Sequence, residues 1–138
     1  MSESPLPTIA RVGIVAKAGL EEAAQVVTDV VSWLESRNIE PVVEQATAEL
    51  IGLQGLGVRE AADLPDTVDL ILVLGGDGTL LGMARQIARS DSDPPILAIN
   101  FGSLGFLTET TLPELSDALA SVVDGAARVD RRRMLRSR

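Results

Sequence analysis

The sequence predicts an α/β fold, a parallel sheet in three layers with helices on both faces. Three observations lead there. Uninterrupted aliphatic runs recur at Arg11–Ala16, Leu70–Leu74 and Ile96–Ile99, the pattern of strands buried on both sides. Stretches of helical periodicity alternate with them, which implies parallel strands joined by crossover helices. The core is aliphatic: 46% of the 138 residues are hydrophobic, but there are only two Phe, one Trp and no Tyr. That length gives one domain room for a core.

In chain order, Arg11–Ala16 (RVGIVA) reads as the first strand. Leu20, Ala23, Ala24, Val27, Val30, Val31 and Leu34 then recur at helical spacing and form one apolar face. Glu21 and Glu22 are expected in that helix's first turn and Arg37 in its last, matching the helix dipole. Asn38 is the expected stop. A short second strand covers Pro41–Glu44. From Gln45 to Asp69 the pattern weakens to a short helix over Ala46–Ile51 and a loop holding Gly52, Gly55 and Gly57. Those glycines follow no strong strand and lack the spacing of a dinucleotide fingerprint. Strand Leu70–Leu74 stops at Gly75-Gly76-Asp77-Gly78-Thr79, and a helical pattern begins at Leu80 with Leu80, Met83, Ala84, Ile87 and Ala88 inward. Asp93-Pro94-Pro95 breaks the chain before strand Ile96–Ile99. The loop Asn100–Leu107 follows, and Thr111-Leu112-Pro113-Glu114 has capping-box spacing. Leu115, Ala118, Leu119 and Val122 face inward on the next helix, Gly125 ends it, and the chain from Ala127 reads as extended.

Composition excludes several chemistries. Without Cys there are no disulfides or thiolate-held metals, and without His the commonest general base and transition-metal ligand is missing. Acid–base work falls to a carboxylate, to Lys17 or to a partner group. The net charge of −8 is unevenly spread. Residues up to Ala127 include 6 basic and 19 acidic side chains (−13), whereas Arg128–Arg138 has 6 arginines and one aspartate (+5). An acidic body argues against a nucleic-acid partner. The arginine-rich end reads as solvated charge, as a linker into a further domain, or as an anion site. With no secretory leader and no apolar run of about 20 residues, a soluble, cytoplasmic protein without membrane partners is expected.

The chemistry is expected where the strands end. Ligands of parallel sheets bind beyond the carboxyl ends of strands, and both glycine loops lie there. Gly75 and Gly76 tolerate unusual backbone angles and close ligand approach, and Gly78 does so beyond Asp77. A helix N-terminus just after them offers partial positive charge to a phosphate. Asp77 could accept a proton from an attacking hydroxyl or position Mg²⁺ through water. The same residues also suit a plain tight turn with Asp77 or Thr79 as N-cap. The G-x-x-x-x-G-K-[ST] phosphate loop is absent, since no lysine follows Gly78.

Together the two loops are more specific. GGDGTLLGMAR at 75–85 followed by AINFGSLGFLTE at 98–109 resembles the bacterial NAD kinases, which transfer a phosphate from ATP or polyphosphate to the adenosine 2′-hydroxyl of NAD and give NADP. The resemblance implies a Rossmann/flavodoxin-like, phosphofructokinase-like parallel sheet. It implies Asp77 as the base for the 2′-hydroxyl and Gly75, Gly76, Gly78 and Thr79 as the phosphate-side turn. Leu81, Phe106 and Leu107 correspond to apolar positions near the adenine, and Asn100, Gly102 and Gly105 to the framework of the second loop. The cofactors implied are ATP and a divalent metal such as Mg²⁺, with NAD as substrate. A homo-oligomer is implied for the full-length protein. The implied layout is a flexible stretch at 1–8, a catalytic nucleotide-binding domain at 9–126, and a crossover strand at 127–138. That strand leads into a β-rich second domain absent from this chain, so the chain alone is expected to be inactive. Two departures stand out: Gly82 replaces a basic residue found in some members, and the chain stops where the second domain would begin. A GGDG-type kinase acting on a lipid or sugar, or a non-catalytic nucleotide-binding domain, are the alternatives.

Overall fold

The computed structural model describes residues 8–53, 57–101 and 110–125, together with the strand segments 128–129 and 135–136. Its strands are β1 (Arg11–Ala16), β2 (Glu40–Glu44), β3 (Val58–Arg59), β4 (Leu70–Gly75), β5 (Ile96–Asn100) and β6 (Thr110–Thr111). These form a six-stranded sheet in the order β3-β2-β1-β4-β5-β6, every described pair parallel. β7 (Arg128–Val129) and β8 (Leu135–Arg136) pair antiparallel in a separate ribbon. The helices are α1 (Ala23–Ser36), α2 (Gln45–Ile51), α3 (Asp77–Ala88) and α4 (Leu115–Val123).

Side-chain alternation along the strands builds two cores. Val12, Ile14, Leu70, Leu72, Leu74, Leu97 and Ile99 point toward α1, α2 and α4. Val15, Ile71, Val73, Ile96 and Ala98 point to the other face, against Leu80 and Met83 of α3 and Leu64 of a 3-10 helix at Ala61–Asp66. The three layers follow from this period of two.

Several local details differ from the sequence reading. Helix α1 begins at Ala23 with Glu22 in the cap position and no acidic residue in its first turn. Arg37 is the C-cap, and it stacks on Trp33 (4.5 Å to the ring centroid) and bridges Asp124 at 3.5 Å. Asn38 does end the helix, at φ 61°. Ala84 and Ala88 are exposed, because the buried stripe of α3 needs only Leu80 and Met83, with Ile87 packed beside them. The weakly patterned stretch holds β3 and the 3-10 helix, whose Leu64 is fully buried. The expected capping box is present, heading a 3-10 turn at Leu112–Glu114 that runs into α4.

Two polar contacts lead to predictions. Thr47 Oγ1, in a residue only 1% exposed, accepts from Ala16 N at 2.8 Å and donates to Glu44 Oε1 at 2.7 Å. It ties α2 to the carboxyl end of β1. Thr47→Val keeps the shape but strands a buried N–H, so urea unfolding should show a loss of about 1–2 kcal/mol. At the capping box, the backbone N–H and then the hydroxyl of Thr111 donate to Glu114, and both lower its pKa below the ordinary glutamate value. The cap therefore contributes fully above the unfolded-state pKa and is lost as pH falls through the depressed folded one. NMR titration of the Glu114 carboxyl should show the low midpoint, and Thr111→Ala should raise it.

Candidate active site at the carboxyl ends of the central strands

Strand order 3-2-1-4-5-6 reverses direction between β1 and β4. The chain after β1 moves toward one edge of the sheet, and the chain after β4 moves toward the other. Their connections diverge and leave a crevice above the strand ends, the place where open α/β sheets hold ligands.

The main chain sets the floor of this crevice. Lys17, just past β1, donates its N–H to Leu74 O at 2.9 Å, and Phe101, just past β5, donates to Gly75 O at 3.0 Å. Gly75 lies in register with Asn100, which is 5% exposed. Three strand ends therefore meet at Gly75.

Gly75 and Gly76 serve different purposes. A Cβ on Gly75 would lie 2.9 Å from Thr79 Oγ1 and 3.1 Å from Lys17 Cβ, so glycine is needed for packing. Neither glycine has the positive φ that the sequence reading allowed for. Gly76 is extended, at φ −141°, with nothing within 4 Å of a would-be Cβ. Gly78 also faces open space, although glycine is a poor helix residue. Among the described residues nothing packs where a side chain at 76 or 78 would be, so both positions leave the backbone open to close approach.

Helix α3 starts at Asp77 rather than Leu80, and Gly76 holds the cap position without a side-chain cap bond. Neither Asp77 nor Thr79 is therefore the N-cap. The first helical bond is Leu80 N to Gly76 O at 3.1 Å, and the N–H groups before it have no acceptor within the helix. Asp77 is half-buried in the first turn, beside them. Leu81, four residues on and on the same face, is 46% exposed.

Gly75, Gly76, Asp77, Gly78, Thr79 and Asn100 thus lie at the carboxyl ends of β4 and β5 and the start of α3, with Leu81 exposed one turn further on. Gly102, Gly105, Phe106 and Leu107 lie outside the described residues. Lys17 joins the crevice as well. From sequence it is one of the acid–base options, and the pairing of β1 with β4 is what brings it beside Gly75. Among the described residues no three acidic side chains cluster to hold a metal, and no helix is long and apolar enough to cross a membrane.

Comparisons with known proteins identify the family and the fold. Residues 12–127 match the family model for the ATP-NAD kinase N-terminal domain. An NAD kinase of Syntrophotalea carbinolica is 44% identical over 125 residues, covering 91% of this chain and 43% of the relative. An NAD kinase of Geobacter metallireducens is 42% identical over 125 residues, covering 91% and 42%. The chain thus spans less than half the length of these curated relatives. Among solved structures, yeast NADH kinase complexed with NADH superposes with a TM-score of 0.73 at 23% identity, over 91% of this chain and 40% of that one.

Proposed function

The chain belongs to the ATP-NAD kinase family, and from that premise we propose that it supplies the phosphate-side half of an NAD kinase active site. The observation that carries the reading is the glycine pair at 76 and 78, left open to solvent on either side of Asp77 at the start of α3. The reaction is transfer of the terminal phosphoryl group of ATP, or of polyphosphate, to the adenosine 2′-hydroxyl of NAD.

In this reading the donor's phosphates lie against Gly76 and Gly78 and the first-turn N–H groups of α3. Asp77 takes the proton of the 2′-hydroxyl as its oxygen bonds to the terminal phosphorus. The bond from that phosphorus to the bridging oxygen breaks, and ADP leaves with the electron pair. Most of the acceleration comes from alignment and charge stabilisation. Leu81 offers an apolar edge to the adenine, and Phe106 and Leu107 complete that side, with Asn100, Gly102 and Gly105 as framework. A hard divalent cation such as Mg²⁺ is held by few carboxylates and by substrate phosphates. Asp77, the acidic residue in the first turn of α3, would hold such an ion against the donor phosphates, where it would supply charge neutralisation.

The domain of residues 9–126 then works with a second, β-rich domain that the segment 127–138 leads into, within a cytoplasmic homo-oligomer. The test is NADP formation from NAD and Mg-ATP by the longest gene product containing these residues. NADP is expected from that product and little or none from the 138-residue chain. Phosphorylation of a sugar or lipid in its place would move the site to another GGDG-type kinase, and no transfer at all would leave a nucleotide-binding domain.

A further inference from the structure

We propose that Lys17 is the cation that holds the transferable end of the donor's phosphate chain, reached from β1 across the β1/β4 seam. The assignment rests on the kinase reading above and adds a contact that the glycine turn lacks.

Placement is the first argument. Lys17 follows the last residue of β1, and its N–H to Leu74 O bond at 2.9 Å fixes its backbone at the crevice floor. Its Cβ and Thr79 Oγ1 flank the same point, 3.1 Å and 2.9 Å from where a Gly75 Cβ would be. The lysine stem therefore rises beside the glycine turn. The side chain is exposed and makes no hydrogen bond or ion pair among the described residues.

Charge is the second. The segment up to Ala127 carries 6 basic against 19 acidic residues, so a polyanion meets a repulsive surface unless a cation stands at the site. Of the other described cations, Arg11 lies at the amino end of β1, paired with Glu40 at 3.4 Å. Arg37 is engaged by Trp33 and Asp124 past the end of α1. Arg59 sits on edge strand β3, two strands from β1, with its guanidinium on Val58 O at 2.9 Å. Arg85 and Arg89 lie in the last turn and at the C-cap of α3, away from its N-terminus. Among the cations up to Ala127, all of them described, a phosphate chain seated on the start of α3 has Lys17 beside it, and Arg128 and Arg136 lie on the separate β7–β8 ribbon.

Chemistry is the third. A phosphate-binding ammonium acts as a point charge with three donors, so it need not come from the loop that cradles the phosphates. Protein kinases likewise draw their lysine from a neighbouring strand rather than from the glycine-rich loop. Here β1 supplies what no residue after Gly78 does. The ligand class is a terminal phosphoanhydride, shared by nucleoside triphosphates and inorganic polyphosphate.

The experiment is steady-state kinetics on the longest gene product containing these residues. Lys17→Met should raise KM for the phosphate donor roughly 10- to 100-fold, the range of a charge-assisted contact, and leave KM for NAD and the melting temperature unchanged. Lys17→Arg should recover most of the loss, and Arg89→Met at the far end of α3 should leave donor KM unaltered. Where the wild type uses both ATP and polyphosphate, the rise should appear with each. An unchanged donor KM, a rise with only one of two usable donors, or a rise in KM for NAD instead would overturn the assignment. A folded wild type that transfers phosphate to no acceptor would overturn the kinase reading itself, and the assignment with it.

Discussion

Asp77→Asn in the longest gene product containing these residues is expected to cut NADP formation by about 10²- to 10⁴-fold, the usual contribution of a positioned base. That is a barrier increase of roughly 3–5 kcal/mol. Stability should hardly move. Asp77 is half-buried, and Asn keeps its size and shape. The attraction of a carboxylate to the start of α3, about 0.3–1 kcal/mol, is among what is lost. The split between kcat and melting temperature is the diagnostic, because a residue serving only the turn would show the reverse. Transfer that persists undiminished in Asp77→Asn would remove the carboxylate from the mechanism.

The glycine doublet should separate in the opposite sense at its two positions. Gly75→Val places a branched side chain where even a Cβ would lie 3.1 Å from Lys17 Cβ. Thr79 can rotate its hydroxyl away, but a Cβ beside the main chain can yield only if β1 moves. The bond from Lys17 N–H to Leu74 O resists that movement, and the bond from Phe101 N–H to Gly75 O keeps β4 from giving way instead. Overpacking of this kind costs about 3 kcal/mol, at the upper end of its usual range, so a calorimetric scan should show a fall of roughly 10 °C. Gly76→Ala meets nothing within 4 Å and needs no unusual backbone angle. Its stability should change by no more than about 0.5 kcal/mol. Donor KM should nevertheless rise tenfold or more, because the added methyl occupies the surface on which the phosphates are proposed to lie. A Gly76→Ala enzyme with unaltered kinetics would show that the open face of the turn is unused.

Much of this was legible in the sequence because the physics is local. Strands buried on both faces must be continuously aliphatic, so β1, β4 and β5 could be read directly. The helical period of α1 and the capping box at Thr111 were equally plain. The start of α3 was not, since Asp77, Gly78 and Thr79 have no apolar period and their position is set by where β4 ends. Leu64 was missed for a related reason. It is the buried anchor of a 3-10 helix containing Pro65, too short to show periodicity, and it packs on the sheet beside the Cβ-free Gly13. At the site, Gly75 and Asp77 could be found from one short motif. Lys17 could not be joined to them, because its neighbourhood depends on β4 pairing with β1 rather than β3, a matter of topology that no local pattern encodes.

That pairing also bears on how the protein folds. β1 meets β2 through residues as near in sequence as 11 and 40, and β4 meets β5 through 71 and 96. The β1–β4 seam joins 12 to 70, the most sequence-distant pairing in the sheet. Closing the longest loop carries the largest chain-entropy cost, and long-range strand pairing is slow. The two halves, β1-α1-β2-α2-β3 and β4-α3-β5, can each gain structure before the seam closes. Lys17 comes from one half and Gly75 to Thr79 from the other. The crevice therefore exists only once the halves have docked, and an opening along this seam would dismantle it while leaving most local structure in place. Amide exchange at Lys17 N, whose acceptor lies across the seam, would report that event directly.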